Sequence, residues 1–567
     1  MHPAATLEAV LESRLEGLTA HERLVVDAAA VIGASFTPAE VGALCPTQEP
    51  GVILDVLDAL EHKELLAVDA DLERFVLRPP HREVAYRRLT KQLRSDLHIH
   101  FASLLESAAE FDDQQPDIDA RIGRHLDMAY QYQKELHRDL TDSTRELARR
   151  AGEHYAAAGH IYCMQLFPDP STAPHLQRAT ELLSARVPTG RQARLDLANL
   201  LQEEQPELAL SLYDAVLHVA GAVQDWSVGQ QARLGRMEVT WFHNFQGDWK
   251  EGCAEVTGLL DELITPLSRA KALRLLAHAY AAIGRADDAI DAIRRASMIV
   301  QETGDRRLEA KVLELACVLL FWGPLHLDDV IEEIQRFVDR AEQQGLYNLQ
   351  ASALSILARA TAMLGDFEHA RELLQQAKSI RPIRKDLLTI GTDAISEGLV
   401  ELLAGRLDAA ERILHDGYEW LRQQDASVAL TSLAAMLGRV HLRRGNQHEA
   451  ERFVGEAKAA AVETHFDAQI KWRSLQAIID ARRGNHDTAE SLALKASALA
   501  EQSGQPDTRA EAILDLTEVL RLAGRRQEAT EAANKALHIY QNRGSPILAG
   551  QVQQLLDDLK TDKTPSA

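Results

Sequence analysis

Residues 276–296 read LAHAYAAIGRADDAIDAIRRA, and this stretch decides the fold. A helical pattern of apolar and small residues runs up to Gly284, and a second one begins after it, with Ala289 five residues past the glycine. Glycine readily takes the left-handed backbone conformation that closes a helix, so the stretch predicts two helices joined by a tight turn.

The pairing of a glycine with a small residue five positions later recurs along the chain, at glycine spacings of 37 to 42 residues. The glycines predicted to form the repeat turns are Gly247, Gly284, Gly323, Gly365, Gly405, Gly445, Gly484 and Gly524. The copies at Gly247 and Gly323 are imperfect, because Gly252 and Asp328 stand where the others have alanine. Small residues at a fixed position let helix pairs approach closely and stack. The pattern therefore predicts an all-α fold, an α-solenoid of helical repeats.

Composition and charge limit the classes of function. A chain of 567 residues is too long for one compact core, and its formal charge of −23 argues against nonspecific binding to nucleic acid or to an anionic membrane. The N-terminus lacks the apolar run of a signal peptide, and no apolar stretch reaches the roughly 20 residues of a membrane span. We expect a cytoplasmic protein that does not contact the membrane.

The sequence contains no motif that carries known chemistry. The cysteines lie far apart, with no C-x-x-C pair, which is typical neither of a disulfide framework nor of a zinc site. There is no nucleophile elbow, no H-E-x-x-H, no dinucleotide fingerprint and no kinase motif set. We therefore expect no enzyme activity, no catalytic residues, no metal site and no cofactor.

The first 110 residues predict a small domain of a different kind. Helical patterns are followed by two short β-prone segments, Leu66–Val68 and Arg74–Leu77, and then by a further helical pattern. Helices followed by a small β-hairpin are the outline of a winged helix. Basic residues cluster after the hairpin, but acidic residues outnumber basic ones in the domain, which argues against DNA binding. These basic residues are Arg82, Arg87, Arg88, Lys91 and Arg94.

Three segments of this domain carry a resemblance to a known family. They are TLEAVLESRLEGLTAHERLVVDAAAVIGASF at 6–36, LDALEHKELLAVD at 57–69 and REVAYRRLTKQLRSDLHIHFASLLE at 82–106. They resemble the winged-helix segment of bacterial STAND-type signal-transduction ATPases, which include adenylate-cyclase-linked and LuxR-type regulators. In that family the segment follows an ATPase module and precedes a long helical-repeat region, so the resemblance implies a role in signalling or transcriptional control.

The chain departs from this family in two respects. The phosphate-binding motif G-x-x-x-x-G-K-[ST] does not occur, and there is no Gly-Lys pair anywhere in the sequence. The family usually carries Phe-Arg-His before the helix that contains REVAY, and its histidine is associated with nucleotide sensing. Arg78 stands at that histidine's position. We therefore expect no nucleotide cofactor in this chain.

The repeats themselves resemble the tetratricopeptide repeat, whose usual unit is about 34 residues. The longer period resembles the repeat region of the maltose-regulon activator (MalT-like) family. The predicted organisation is a winged-helix domain at 1–110, a linker with degenerate helical repeats at 111–224, regular repeats at 225–545, and a capping helix with a disordered tail at 546–567. Glu110–Asp119, which is acidic and aperiodic, marks the linker.

In tetratricopeptide arrays the first helix of each pair lines the concave face. The inward positions hold a set of basic residues, which predicts a groove for carboxylates or phosphates because arginine binds both in a bidentate manner. The alternative is that these residues lie on polar helix faces and pair with nearby acidic side chains. The predicted groove residues are Arg274, His278, Arg359, Arg439, Arg443, Lys471 and Arg482. Phe321 also falls at an inward position, whereas Trp241 and Phe245 are expected to lie in the core.

The leading functional prediction is a non-catalytic scaffold that binds a partner protein, a peptide or a small inducer on its concave face, and the basic inward residues favour an acidic protein or peptide. The alternative is the regulatory C-terminal part of an ATP-dependent regulator or adenylate-cyclase-type enzyme, whose nucleotide-binding module is encoded separately or lies upstream.

Overall fold

The structure is a computed structural model and describes residues 3–69, 74–109, 116–137, 139–165, 170–242, 249–380, 387–423, 427–461, 463 and 465–561. The chain divides into two compact units, residues 1–232 and 233–567. Its described part is helical apart from one small sheet, so the all-α prediction is confirmed.

The first unit begins with six helices and three strands. They are α1 (Pro3–Glu16), α2 (Ala20–Ile32), β1 (Ser35–Phe36), α3 (Pro38–Leu44), α4 (Pro50–His62), β2 (Leu66–Asp69), β3 (Arg74–Leu77), α5 (Pro79–Arg88) and α6 (Lys91–Ala109). Thr37 and Glu40 start α3 through a capping box, in which each side chain bonds the other's backbone N–H.

The predicted β-hairpin is confirmed, and one further strand joins it. β2 and β3 are antiparallel, with Leu66 opposite Leu77, and β1 pairs with the other edge of β3. The sequence analysis missed β1 because its two residues are too few to show the alternation of a strand. Arg74 ties the strands together, since its Nε donates to Ser35 Oγ at 2.7 Å.

Five more helices follow within the first unit or at its border. They are α7 (Pro116–Leu136), α8 (Asp142–Met164), α9 (Thr172–Leu182), α10 (Pro188–Leu201) and α11 (Pro206–Val223). Residues 116–119, which the sequence assigned to the linker, form the first turn of α7, because proline is well suited to that position. A single hydrophobic core includes residues from Leu11 to Ala151, so residues on both sides of position 110 contribute to it.

The remaining helices form consecutive antiparallel pairs and a final single helix. They are α12 (Trp226–Phe242), α13 (Trp249–Leu260), α14 (Pro266–Ala282), α15 (Ala286–Ile299), α16 (Arg306–Trp322), α17 (Leu327–Gln344), α18 (Tyr347–Leu364), α19 (Phe367–Ile380), α20 (Leu387–Leu403), α21 (Leu407–Arg422), α22 (Ser427–Arg444), α23 (Gln447–Ala460), α24 (Phe466–Arg482), α25 (His486–Gln502), α26 (Pro506–Leu522), α27 (Arg526–Arg543) and α28 (Pro546–Thr561). From α14 onward the first helices of successive pairs pack side by side, which makes this an α-solenoid of tetratricopeptide-like repeats.

The repeat glycines that the structure describes lie at the turns within these pairs. Six of them have the left-handed backbone conformation that favours glycine, with φ between 74° and 100°. These six are Gly284, Gly365, Gly405, Gly445, Gly484 and Gly524. Gly323 ends α16 at φ −72°, an ordinary conformation for any residue. Gly247 lies outside the described residues.

The alanine five positions after each of these six glycines is fully buried. Ala289, Ala370, Ala410, Ala450, Ala489 and Ala529 all have 0% exposure. A methyl group at this position lets the second helix of a pair lie close against the first. In two pairs the first helix has a glycine where it faces the second helix. One of these is Gly398, where a Cβ would come 2.3 Å from Leu414 Cδ2. Small residues occupy these positions because the two helices of a pair pack so closely that a larger side chain would not fit between them.

The array in the second unit winds back onto itself. Arg543 donates hydrogen bonds to the carbonyls of Phe321 and Leu325, and Ser545 Oγ donates to Met363 O at 2.9 Å. These bonds join residues 182 to 222 positions apart, which is about five repeat periods. The first helices of the pairs in between therefore surround a central channel.

The last helix, α28, packs against α18 and α27 and closes this end of the array. Residues 562–567, predicted to be a disordered tail, lie outside the described residues.

Candidate ligand-binding channel

The central channel is lined by charged stripes on three successive inner helices and by two residues from earlier helices. α22 carries Arg439 and Arg443, α24 carries Asp467 and Lys471, and α26 carries Asp507, Glu511 and Asp515. Within each stripe the spacing is four residues, which places the members on one helix face. Phe321 of α16 and Arg359 of α18 complete the set.

An ion pair crosses the channel between the first and last of these stripes. Arg439 Nη1 and Nη2 donate to the two carboxylate oxygens of Asp515 at 2.8 and 2.9 Å, past α24, which lies between them. Burial opposes ionisation of Arg439, but the charge of Asp515 outweighs it and raises the pKa of the guanidinium. Glu511 lies farther from Arg439, at 3.9 Å. Arg439 is thus occupied by the protein's own carboxylates.

Two more of the predicted groove residues are also occupied. Lys471 Nζ lies 2.6 Å from Asp467 on the preceding turn of the same helix. Arg482 Nη1 donates to the backbone carbonyl of Leu442 at 3.0 Å, which ties α24 to α22. The Lys471 contact is of the kind that the sequence left open as the alternative, pairing with a nearby acidic side chain, whereas Arg482 binds a backbone carbonyl.

Arg274 and His278 belong to a separate buried cluster. Arg274 Nη2 lies 2.5 Å from Glu238 Oε1, and Lys311 Nζ lies 4.0 Å from the same oxygen. Burial opposes ionisation of Glu238, but the charges of Arg274 and Lys311 outweigh it and lower its pKa to about 2. Burial and the charge of Arg274 lower the pKa of His278 to about 3, so its imidazole is neutral at pH 7.

Arg359 and Arg443 differ from the other predicted groove residues: neither makes a hydrogen bond or ion pair with a described residue, and the Arg443 side chain is exposed. Within the described part of the chain, Arg359 forms no hydrogen bond or ion pair, and its Nε is fully buried. Its guanidinium carbon lies 4.2 Å from the centroid of the Phe321 ring. Burial lowers the pKa of Arg359 to about 10, although Asp507, Asp467 and Glu511 act in the opposite direction. Burial and the charge of Arg439 likewise lower the pKa of Arg443.

The acidic residues of the channel keep solvent-accessible surface although protein surrounds them. The side chains of Asp507 and Glu511 are 24% and 50% exposed, yet burial raises the pKa of both carboxyls. A group surrounded by protein that still contacts solvent lies in an enclosed, solvent-containing space. Both carboxylates therefore face the space between the inner helices and keep contact with solvent.

Sequence reasoning missed the residues that close the channel. Arg543 is buried to 1% exposure, and its Nε lies 3.2 Å from Asp507 Oδ2 in addition to its bonds to α16 and the following turn. Nothing in its local pattern distinguishes it from the exposed arginines of other second helices. The acidic stripe of α26 could have been found, since three carboxylates at spacings of four precede Gly524.

Trp241 packs in the hydrophobic core, as the sequence analysis expected. Its ring lies 5.6 Å from that of Trp249, and a Cβ at Gly252 would come 2.3 Å from its Cζ2. The small residue at position 252 is thus required by this indole. Phe245 lies outside the described residues.

The first unit contains a buried polar network that the sequence did not reveal. His98 Nδ1 and His125 Nδ1 lie 2.7 Å apart, and His98 Nε2 lies 2.7 Å from the hydroxyl of Tyr86. That hydroxyl is 2.9 Å from the hydroxyl of Tyr132. Burial, with nearby arginines, lowers the pKa of His98 to about 3, and burial with the His98 ring lowers that of His125 to about 2.

Most of the basic residues near the hairpin are bound within the protein. Arg82 Nε donates to Ala30 O at 3.2 Å, Arg94 Nε donates to Tyr86 O at 2.9 Å, and Lys91 Nζ lies 3.0 Å from Glu135 Oε2. Arg87 pairs with Glu83. These contacts use donors that phosphate groups would otherwise need.

Among the described residues, no group of three or more histidine, cysteine or acidic side chains is placed to hold a metal ion. All four cysteines are free thiols. None of the described helices combines the length and the apolar character needed to cross a membrane.

Comparison with known proteins shows similarity only at the level of solved structures. No protein-family model matches the chain, and no curated protein matches it by sequence. The apo form of the quorum sensor NprR from B. thuringiensis aligns at 12% identity and a TM-score of 0.41, covering 61% of this chain and 98% of that one. The Cut9-Hcn1 hetero-tetramer of APC/C aligns at 12% identity and a TM-score of 0.47, covering 84% and 94%.

A third similar structure is a Signal Transduction ATPase with Numerous Domains protein with a tetratricopeptide repeat sensor, from Pyrococcus horikoshii. It aligns at 13% identity and a TM-score of 0.30, covering 97% of this chain and 67% of that one.

Proposed function

We propose that the protein is a non-catalytic binding protein of bacterial signalling or transcriptional control, which acts in the cytoplasm and binds its partner inside the central channel. The observation that carries this proposal is the channel itself. Its lining is charged and held by ion pairs such as Arg439–Asp515, and within the described residues Arg359, whose Nε is buried, has no hydrogen-bond partner. Preorganised, incompletely satisfied polar groups in an enclosed space are what a ligand site requires.

The closure of the array limits which partners fit. Arg543 and Ser545 bind the array's earlier helices, so the channel is not open along its side as a groove would be. A folded partner would have to break these bonds to reach the lining. An extended peptide or a small inducer could enter along the channel axis. We therefore favour these two among the partners predicted from the sequence.

The order of helices and strands in the N-terminal segment supports its interpretation as a winged helix. Three helices, α2 to α4, alternate with the strand β1 and are followed by the hairpin of β2 and β3, with β1 completing the sheet. We propose that this segment is a winged helix and that it transmits the binding signal by contact with another protein domain. Direct DNA binding is the weaker interpretation, because Arg82, Arg94 and Lys91 already bind groups of the protein.

A second candidate function follows from the resemblance of residues 6–36, 57–69 and 82–106 to STAND-type regulators. In it, the chain is the regulatory part of an ATP-dependent regulator or a cyclase-type enzyme, and the nucleotide-binding module lies on another polypeptide. The discriminating experiment is to purify the protein from its native cytoplasm and identify what remains bound. A stoichiometric ATPase or cyclase would support this candidate over the first.

The proposed binding site is tested by hydrogen exchange on the full chain, with and without a panel of peptides and cytoplasmic small molecules. A true ligand should slow exchange in the inner helices α18, α22 and α26 by tenfold or more. Protection confined to the outer helices α19, α23 and α27 would place the binding site elsewhere and contradict the proposal.

A further inference from the structure

A cleft of about 240 Å³ opens in the first unit, where α1, α2 and α5 meet the start of α6. We propose that this cleft binds a free α-amino acid with an apolar side chain, whose ammonium group contacts Asp27 and whose carboxylate contacts Arg88. The cleft belongs to the first unit and the central channel to the second, so either site can be tested without the other.

The walls of the cleft are mainly apolar. A bound water takes up about 30 Å³, so the space holds about eight groups of that size, which suits one small molecule such as leucine. An aliphatic side chain inside it would leave water and contact several buried leucines. The apolar wall consists of Leu15, Leu18, Val26, Ala85 and Leu89, all of them buried, with the exposed Leu93 at its mouth.

Asp27, on α2, lines the same cleft with an unpaired carboxylate. Among the described residues it accepts no hydrogen bond and forms no ion pair. Burial raises the pKa of this carboxyl to about 6, although the charges of Arg88 and Arg23 act in the opposite direction. The group is still mostly ionised at neutral pH, so the cleft contains a negative charge that an ammonium donor would stabilise.

Two arginines of the cleft act on Asp27, and they differ in their contacts. Arg23 Nη2 donates to the carbonyls of Glu16 and Leu18 at 3.2 and 3.5 Å. Arg88, on α5, is exposed and forms neither an ion pair nor a hydrogen bond within the described part of the chain. Its charge lowers the pKa of Asp27 without direct contact, so a space separates the two groups.

The opposite charges on the two sides of this space select the class of ligand. Asp27 would attract a simple amine, but Arg88 and Arg23 would repel it, and a simple carboxylate would meet the reverse situation. An α-amino acid carries both charges on one carbon atom. Its ammonium group can donate to Asp27 while its carboxylate accepts a bidentate pair of hydrogen bonds from Arg88. The apolar side chain then lies against the leucines.

The test is isothermal titration of the full chain at neutral pH with five probes, namely leucine, phenylalanine, glycine, leucinamide and N-acetyl-leucine. Leucine or phenylalanine should bind. Glycine should bind at least tenfold more weakly than either, because it lacks the apolar side chain. Leucinamide has no carboxylate and N-acetyl-leucine has no ammonium group, so each should also bind at least tenfold more weakly than leucine.

Two variants assign each charge of the ligand to its residue. Asp27→Asn should weaken leucine binding by tenfold or more without weakening N-acetyl-leucine, which has no ammonium group to lose a contact. Arg88→Gln should weaken leucine to the same extent without weakening leucinamide. A merely structural role of the two residues would not produce this pattern. Asp27→Asn should leave the melting temperature unchanged or higher, since its carboxylate is unpaired.

The matched control is Arg87→Gln, which removes the same charge from the neighbouring position on α5. Arg87 pairs with Glu83 and does not line the cleft, so the affinity for leucine should not change. The absence of leucine and phenylalanine binding, or equal affinities for leucine and leucinamide, would overturn the proposal. An amphipathic helical peptide that bound more tightly than leucine and lost affinity in Arg88→Gln would assign the cleft to a protein partner and overturn it as well.

Discussion

The Arg439 guanidinium and the Asp515 carboxylate form a bidentate ion pair although they lie 76 residues apart in the sequence. Their helices, α22 and α26, are not neighbours in the array, since α24 stands between them. The pair spans the central channel and so holds two repeats at a set separation. An inward-facing arginine in this acidic protein can thus bind a carboxylate of the protein itself, and it is then not part of a binding surface.

This pair should contribute to stability only while both members are present. Replacing Arg439 by methionine leaves the Asp515 carboxylate, which is 5% exposed, without its partner. We expect a loss of about 3 kcal/mol in the free energy of unfolding, measured by urea titration. The Arg439→Met/Asp515→Leu double variant should regain most of that loss. A double variant as unstable as the single one would show that the coupling between them is not the cause.

The contact between Gly284 and Phe466 provides a second prediction. Gly284 has φ 78°, and a Cβ there would come 2.7 Å from Phe466 Cδ1 on a later turn of the array. Gly405 has φ 74° with nothing within 4 Å, so it is a matched control. Gly405→Ala should cost about 1 kcal/mol from backbone strain alone, and Gly284→Ala about 2 kcal/mol or more. If both variants lost the same free energy of unfolding in thermal or urea denaturation, Gly284 and Phe466 would not be in close contact.

Arg543 should be the residue most sensitive to replacement in the last repeats. Arg543→Ala would leave the carbonyls of Phe321 and Leu325 and the carboxylate of Asp507 without their buried donor. We expect a loss of about 3 kcal/mol or more, with faster hydrogen exchange at the end of α16 and in α27. Arg526→Ala, at the exposed start of the same helix, is the comparison and should change exchange only locally. Unchanged exchange at α16 in Arg543→Ala would contradict closure of the channel by this side chain.

The buried histidine pair should make the first unit sensitive to acid. The pKa values of His98 and His125 in the folded protein, about 3 and about 2, lie below the ordinary value of 6.5. Between these values the unfolded chain binds more protons, so their contribution to stability is complete above about pH 6.5 and is lost as the pH falls toward 3. Hydrogen exchange in α6 and α7, corrected for its intrinsic pH dependence, should accelerate over this range.

Histidine replacements provide the controls for this effect. Replacing both histidines by glutamine keeps hydrogen-bonding groups in the network but removes the titration, so the acceleration should largely disappear. Replacing His448, whose side chain is 92% exposed, should leave it intact. An acceleration of the same size in the double glutamine variant would assign the acid sensitivity to other groups.

The repeats could be predicted from the sequence because their signals are local. A left-handed glycine turn, an alanine five positions later and apolar spacing of three and four residues each depend on neighbours within one helix pair. The structure places Gly284 and Ala289 in these roles. The hairpin of β2 and β3 was predictable for the same reason, whereas the two-residue strand β1 exists only through its pairing with β3.

The state of each inward arginine was decided by the tertiary structure alone. Arg359 and Arg439 hold the same place relative to their glycines, six residues before Gly365 and Gly445, so the sequence cannot distinguish them. Winding of the array brings Asp515 within bonding distance of Arg439 and places the Phe321 ring against Arg359. Whether an arginine is paired with a carboxylate depends on the distance between the two side chains in space, and these side chains are tens of residues apart in the sequence. The sequence by itself therefore determined the repeating unit and its inward face, and only the tertiary structure determined that the array closes around a channel and which of its charges remain free.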